Sequence, residues 1–225
     1  MAPTSYFTAS TLDFLSELRN HNDRDWFNAN KARYEENVKE PFLEFIDEVG
    51  PKLRKLSPHI VADSRPVGGS FFRIYRDVRF SKDKSPYKTH AAAHFSHAAT
   101  NRDVHGPGYY LHIEPGNCGL AGGMWQPEPK ALLQIRKRIV RDPNGWRAVV
   151  KKVPDMEGEK LVRPPTGFSP DHPLIEDIKR KDFVAWLRLE DSEVTSAGLP
   201  ALFVSSCRKI APLMQFLAKA INVSW

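Results

Sequence analysis

The segment from Phe71 to Lys88 carries the densest group of residues able to bind an anion. It reads FFRIYRDVRFSKDKSPYK and has only two acids, Asp77 and Asp83. Its cations are Arg73, Arg76, Arg79, Lys82, Lys84 and Lys88. An arginine fork matches pairs of phosphate or carboxylate oxygens, and a lysine adds a point charge. The sequence therefore predicts an anion site here, lined also by Tyr75 and Tyr87.

A strand followed by a loop would position these charges. Alternating apolar and polar residues predict a strand over 72–80, which places Arg73 and Arg79 on one face. Residues 81–86 are typical of a loop that can fold over a ligand. Arg76 falls on the apolar face and predicts a buried carboxylate or a bound anion as its partner. The alternative is a solvated strand with local ion pairs, each worth roughly 0–1 kcal/mol.

A second group suited to chemistry is Tyr110, His112 and Glu114. Their run alternates like a strand, on which residues i and i+2 share a face about 6.5–7 Å apart. A histidine beside a carboxylate is suited to general acid–base catalysis or to metal ligation. The alternative is a hydrogen-bonded pair with a purely structural role.

Metal and nucleotide sites have weaker signals. His90 and His94 would sit one turn apart on a helix, but about 13 Å apart on a strand, too far to share an ion. His97 adds no HExxH pattern, so no metal site is predicted. The glycine-rich run 116–125 matches neither GxGxxG nor GxxxxGK[ST]. It predicts a bulged strand, or a close backbone approach with Trp125 closing a pocket.

Composition indicates a soluble globular chain. Its 225 residues carry a net charge of +6 and fit one domain over residues 1–225. No apolar run of about 18 residues predicts a membrane span, and the N-terminus lacks a secretory pattern. Cys118 and Cys207 show no CxxC spacing, so we expect reduced thiols and a cytoplasmic protein.

The stretch 130–152 is a second basic segment, with eight cations and one acid. Its first part, 130–141, has an apolar stripe typical of a helix, with most of the cations on the opposite face. One interpretation is a solvated helix face. The other is a contact surface for the phosphate backbone of a nucleic acid.

The remaining patterns predict helices at both ends of the chain. Thr11 and Asp23 are candidate N-caps in the first third, and Pro41 suits a first helical turn. Residues 199–221 are the longest helical pattern, which Pro212 is expected to kink or split. Strands are predicted at 109–114, 118–125 and 183–189, whereas 89–95 is ambiguous. The fold class is therefore α+β, a central antiparallel or mixed sheet flanked by N- and C-terminal helices.

Three longer stretches resemble the signatures of a known family. They are LRNHNDRDWF at 18–27, FRIYRDVRFSKDKSPYKT at 72–89, and PGYYLHIEP at 107–115 with GGMW at 122–125. The sequence is similar to domain of unknown function family 2461, found in bacteria and fungi, over roughly residues 6–222. The resemblance implies one α+β domain of this length. It implies no established catalytic residue, so it leaves the reaction open.

We therefore expect a cationic pocket, lined by Tyr110 and Trp125 among other aromatics, that binds a small phosphate- or carboxylate-bearing ligand. In an enzyme, His112 and Glu114 would be the acid–base pair. One alternative is a nucleic-acid-binding protein that uses both basic segments. Another is a structural or regulatory protein whose cations are paired in a network. The sequence specifies neither a cofactor nor an oligomeric state.

Overall fold

One five-stranded antiparallel sheet, in the order β1-β2-β3-β5-β4, forms the centre of this computed structural model, which describes residues 5–100, 103–153 and 156–225. The strands are β1 (Ala91–Ser96), β2 (Gly108–Ile113), β3 (Cys118–Met124), β4 (Met156–Glu157) and β5 (Phe183–Leu189). The α+β prediction is confirmed, and the sheet is the antiparallel of the two predicted kinds.

Helices precede and follow these strands, as predicted. They are α1 (Ala9–Asn20), α2 (Arg24–Ala29), α3 (Lys31–Tyr34), α4 (Glu40–Arg54), α5 (Pro129–Arg141), α6 (Pro143–Lys152), α7 (Ile175–Ile178), α8 (Asp191–Val194) and α9 (Leu199–Ala220). A π-helical segment, Glu35–Lys39, joins α3 to α4, and a 3₁₀ turn, Ala98–Thr100, follows β1. Within the described ranges no helix has the length and apolarity needed to cross a bilayer.

Helix α9 packs on one face of the sheet. The Tyr109 hydroxyl on β2 donates to the Cys207 carbonyl of α9 at 3.1 Å. Gly122 on β3 allows α9 to approach closely, because a Cβ there would lie 2.8 Å from Ile210 Cγ2. This face, called the α9 face below, therefore holds the sheet's contribution to the hydrophobic core.

Phe203 of α9 ties the two ends of the chain together. Its ring contacts Phe45 of α4 and Phe95 of β1, with centroids 5.5 and 5.2 Å apart. All three rings are fully buried. Truncating a buried phenylalanine typically costs about 3–5 kcal/mol, so this cluster fixes the N-terminal helices, α9 and β1 to one another.

Residues 72–80 do not form the predicted strand. Phe71 bridges Ala93 of β1, and Tyr75 bridges Tyr87, but both bridges are isolated. Residues 73–88 form an irregular hairpin, called the cationic hairpin below. Its tip has no neighbouring strand to pair with, and Phe80, predicted to face the core, is 95% exposed.

Two helix signals differ from the structure. Helix α9 is not split at Pro212, because the residues around it are buried and their packing compensates for one missing hydrogen bond. Helix α1 begins after Thr8 rather than Thr11. The Asp23 cap is confirmed, with Trp26 N donating to its carboxylate at 2.8 Å.

Candidate functional site

The sheet face opposite α9 carries a group of partly exposed rings. Residues paired across antiparallel strands point to the same side. His94, Tyr110, Ala121 and Trp186 are consecutive partners across β1, β2, β3 and β5 and form one row. Ala92, His112, Gly119 and Arg188 form the next row. With Phe72 and His90 from the segment before β1, these rings make a surface that we call the aromatic face.

Short residues on the middle strand bring the rings into contact. Tyr110 and Trp186 lie on strands separated by β3, so their backbones are about 9.5 Å apart. Their ring centroids are nevertheless 6.4 Å apart, because Ala121 between them leaves the space free. The His112 ring is 6.2 Å from Trp186 and 4.5 Å from His90. The contacts therefore run unbroken from the β5 side to the start of β1.

Tyr110, His112 and Glu114 form a hydrogen-bonded chain on this face. The Tyr110 hydroxyl lies 3.0 Å from His112 Nδ1, and His112 Nε2 lies 3.3 Å from Glu114 Oε2. An ionised carboxylate can only accept, so Nε2 carries the proton and Nδ1 accepts from the Tyr110 hydroxyl. The structure thus brings together the three residues that the sequence grouped by spacing.

The protonation states along this chain follow from burial and charge. Burial lowers the pKa of His112, against the opposing effect of the Glu114 carboxylate. Burial raises the pKa of Glu114, but hydrogen bonds from Asn117 and His112 outweigh it and leave a lowered pKa. Burial and the Glu114 charge raise the pKa of Tyr110 to about 12. At neutral pH the chain therefore holds a phenol, a neutral imidazole and a carboxylate.

Several hydrogen bonds hold the Glu114 carboxylate in place at one end of the hydrogen-bonded chain. It accepts from Arg19 at 3.3 Å, from Thr89 at 3.3 Å and from the Asn117 amide at 2.9 Å. Its side chain is 21% exposed, so the arginine pair is only partly screened by water. Contacts from α1, from the segment before β1 and from the turn before β3 therefore hold this carboxylate against His112.

His90 and His94 are neutral rings on the same face. Burial lowers the pKa of each to about 4. Neither ring makes a hydrogen bond to the part of the chain that the structure describes. His90 also contacts His112, so it presents an uncommitted imidazole beside the hydrogen-bonded chain.

The root of the cationic hairpin adds positive charge at the Glu114 end of this face. Lys88 Nζ donates to the Arg73 carbonyl at 2.9 Å and lies 5.3 Å from the centroid of Phe72. Burial, together with repulsion from Arg73, lowers the pKa of Lys88. The Arg73 guanidinium is exposed and forms no hydrogen bond or ion pair with other described residues. Two ammonium protons and one arginine fork thus remain for an anion.

The tip of the hairpin uses its other charges internally. Arg76 pairs with Asp83 and donates to the Ser85 carbonyl at 3.2 Å. This partner is a carboxylate of the same loop that lies more than half exposed, so a protein carboxylate is present but is not buried as expected.

The other tip cations differ in their contacts. Arg79 pairs with Asp77 at 2.7 Å, and Lys84 donates to the Val78 carbonyl at 3.0 Å. Lys82 is exposed and makes no such contact with a described residue. None of the four cavities described in this structure is lined by residues 73–88.

Three predicted aromatic residues lie elsewhere. Tyr87 is buried and stacks on Phe27 of α2 at 4.1 Å, and Tyr75 packs against Tyr87. Trp125 is half-exposed and stacks on His105 at 5.5 Å, past the far end of β3. It lies six positions beyond Gly119, about 20 Å along the strand. The structure does not bring these rings to the Tyr110 chain.

The described residues contain no group of side chains arranged to bind a metal ion. No three histidine, cysteine, aspartate or glutamate side chains are grouped there so that they could hold an ion. His97, the third histidine of the 90–97 run, points its Nε2 at the Ser224 carbonyl, 2.7 Å away.

A comparison with family models found a match over most of the chain. A family model described as "Conserved hypothetical protein (DUF2461)" matches residues 10–216. The chain belongs to the DUF2461 family. A search of curated proteins found no match. The DUF2461 match covers nearly the whole chain and assigns no activity.

The sequence did not single out three residues of the aromatic face for their part in this site. Trp186 lies in a predicted strand without a neighbouring charged motif, and His90 and His94 were considered only as metal ligands. The available signal was register: once β1, β2, β3 and β5 are paired, even-numbered residues from 90 to 94, 110 to 112 and 184 to 188 share one face.

Proposed function

We propose that the aromatic face binds a small ligand that carries a phosphate or carboxylate group. The carrying observation is the Tyr110–His112–Glu114 chain, which lies among partly exposed rings at the same end as Lys88 and Arg73. The anionic group would pair with these two cations, and the rest of the ligand would lie against Trp186 and Tyr110. Aromatic surface with a few convergent polar groups is typical of small-molecule sites.

The same chain is suited to proton transfer, which would make the protein an enzyme. Tyr110 oxygen would accept a proton from the ligand while its own proton passes to His112 Nδ1. The imidazolium so formed keeps Nε2–H directed at the Glu114 carboxylate, which stabilises the positive charge. The lowered pKa of His112 keeps the ring neutral and ready to accept.

The alternative of a nucleic-acid surface has less support. It requires the cationic hairpin and the basic segment 130–152 to be continuous. The hairpin borders β1, whereas Trp146 of α6 packs on Phe183 of β5, with centroids 5.8 Å apart on the α9 face. The two basic segments therefore lie towards opposite edges and opposite faces of the sheet.

A cytoplasmic location remains part of the proposal. Cys118 and Cys207 are both free and buried. Burial raises the pKa of Cys118 to about 12, which keeps the thiol protonated and unreactive. This supports the prediction of reduced thiols from the cysteine spacing.

Thermal unfolding with a panel of carboxylates, sugar phosphates and nucleotides tests the binding proposal. A ligand at 100 times its dissociation constant adds about 2.7 kcal/mol to the free energy of unfolding. We expect one class to stabilise the wild type and to lose its effect in Lys88→Met. Lys84→Met is the matched control, since Lys84 belongs to the same hairpin but bonds at its tip. The proposal would be contradicted if a compound stabilised Lys88→Met and Lys84→Met equally. It would also be contradicted if no compound stabilised the wild type.

A further inference from the structure

A second cationic site lies where α5 and α9 end. A cavity of about 120 Å³ is lined there by Gln134, Lys137, Arg138, Arg141, Lys219, Ala220 and Asn222. Four of these seven residues are cations, and none is an acid. An adjoining cavity of about 190 Å³ shares Arg138 and Lys219 and adds Lys152 and Asp142 among its lining.

Helical spacing concentrates the charge on one side of α5. Gln134, Lys137, Arg138 and Arg141 stand at positions i, i+3, i+4 and i+7, which share a helix face. Lys137 and Arg141 are exposed on this face, as charges on the outer side of an amphipathic helix normally are. Like charges at these spacings destabilise a helix, so the arrangement is unfavourable unless something negative lies beside it.

The protein itself supplies little negative charge at this cavity. Lys137, Arg141 and Lys219 make no hydrogen bond or ion pair with residues that the structure describes. Arg138 reaches only the Asp142 carboxylate, at 3.6 Å, and the ring of Phe216, at 5.1 Å from its centroid. Its Nε is buried without a hydrogen-bond partner in the described chain.

The ends of the two helices offset part of the charge. Each contributes a partial negative charge of roughly half an electron at its last carbonyls. Together with Asp142 they offset only part of the charge of the five cations that line the two cavities. A positive excess therefore remains for an anion.

We propose that this cavity binds the phosphate group of a small phosphorylated compound. The Arg138 and Arg141 forks would bind its oxygens, Lys137 and Lys219 would add charge, and the adjoining cavity would hold the rest of the compound. The site lies beside α9, on the side of the sheet away from the aromatic face, so it is independent of the function proposed above.

Calorimetric titration with inorganic phosphate and diphosphate, at ionic strength held constant with sodium chloride, tests this site. We expect the wild type to bind and Arg141→Gln and Lys219→Gln each to weaken binding at least tenfold. Lys151→Gln is the matched control: this exposed lysine of α6 lines neither cavity, so its variant should bind like the wild type. The weakening caused by Arg141→Gln should persist in a Lys88→Met background, which separates this site from the aromatic face.

Folding of the variants is checked by their thermal midpoints without ligand. Arg141→Gln should unfold close to the wild type, because the like-charge repulsion it removes is offset by the loss of a favourable interaction with the C-terminal end of α5. Failure of phosphate and diphosphate to bind, or equal binding by Arg141→Gln, Lys219→Gln and Lys151→Gln, would overturn the proposal. A short oligonucleotide is titrated in the same way. If only the oligonucleotide binds, and Lys151→Gln weakens its binding as much as Arg141→Gln does, the basic surface is diffuse and the proposal is wrong.

Discussion

The indole of Trp186 lies directly over Gly119 on the neighbouring strand. A Cβ at Gly119 would come within 2.3 Å of Trp186 Cζ2. The missing side chain is therefore what allows the indole to lie flat and reach His112. The aromatic face depends on a residue that contributes no functional group of its own.

Gly119→Ala should consequently displace Trp186 and destabilise the protein. Overpacking of this kind typically costs about 1–3 kcal/mol, measured here by urea unfolding, with a change in tryptophan fluorescence of the folded state. Gly198→Ala is the control, since a Cβ there meets nothing closer than Ser196 Oγ at 3.5 Å. If both variants are equally stable, the close approach of Trp186 has no energetic consequence.

Asn22 holds the root of the cationic hairpin in place. Its side-chain amide donates to the Tyr87 carbonyl and its carbonyl accepts from the Tyr87 amide, both at 3.0 Å. Asn22→Ala should cost about 1–3 kcal/mol, because the Tyr87 backbone groups lose both partners.

Hydrogen exchange should show the effect of Asn22→Ala most strongly at the Tyr87 amide. Asn20→Ala is a suitable comparison, as Asn20 is exposed at the end of α1 and its side chain bonds to no other described residue. Unchanged protection of the Tyr87 amide in Asn22→Ala would show that other contacts hold the hairpin.

Removing the negative charge of Glu114 should lower the pKa of His112 further. Glu114 raises that pKa through its hydrogen bond and its charge, while burial lowers it. Glu114→Gln removes the charge and leaves only a weaker, neutral hydrogen bond to oppose burial. An NMR titration of the His112 ring protons measures the shift, with the exposed Glu128→Gln as control. A midpoint that stays the same or rises would mean that the carboxylate does not act on the imidazole.

Stability should fall as the solution becomes acidic. His90 and His94 have pKa values of about 4 in the folded protein, against about 6.5 in an unfolded chain. Between these values the unfolded chain binds more protons, so the free energy of unfolding decreases as the pH falls from about 6.5 to about 4. Full stability is retained above about pH 7.

The size of this decrease should be of the order of a few kcal/mol, since one pKa unit corresponds to about 1.4 kcal/mol. Urea unfolding at pH 7.5 and pH 5 measures it. His94→Gln should reduce the difference between the two values, because one of the titrating rings is removed. An identical difference in His94→Gln would show that His94 is not kept neutral in the folded state.

The sequence by itself determined most of the regular elements. Strands β2, β3 and β5 and helices α5 and α9 lie where their periods placed them, because an element that buries one face must repeat its apolar residues at its own period. The spacing of Tyr110, His112 and Glu114 likewise placed them on one side of a strand. Helix capping by Asp23 is equally local.

Only the tertiary structure decided which residues meet. Alternation at 72–80 satisfied the strand pattern, but a strand also needs a neighbour, and the hairpin tip has none. The Trp186 ring contacts the His112 ring because the residues of β3 between them, Gly119 and Ala121, have small side chains or none. The cationic cavity at Arg138 forms only because the end of α9 places Lys219 beside it. Pairing register and helix packing are long-range relations, which no local period encodes.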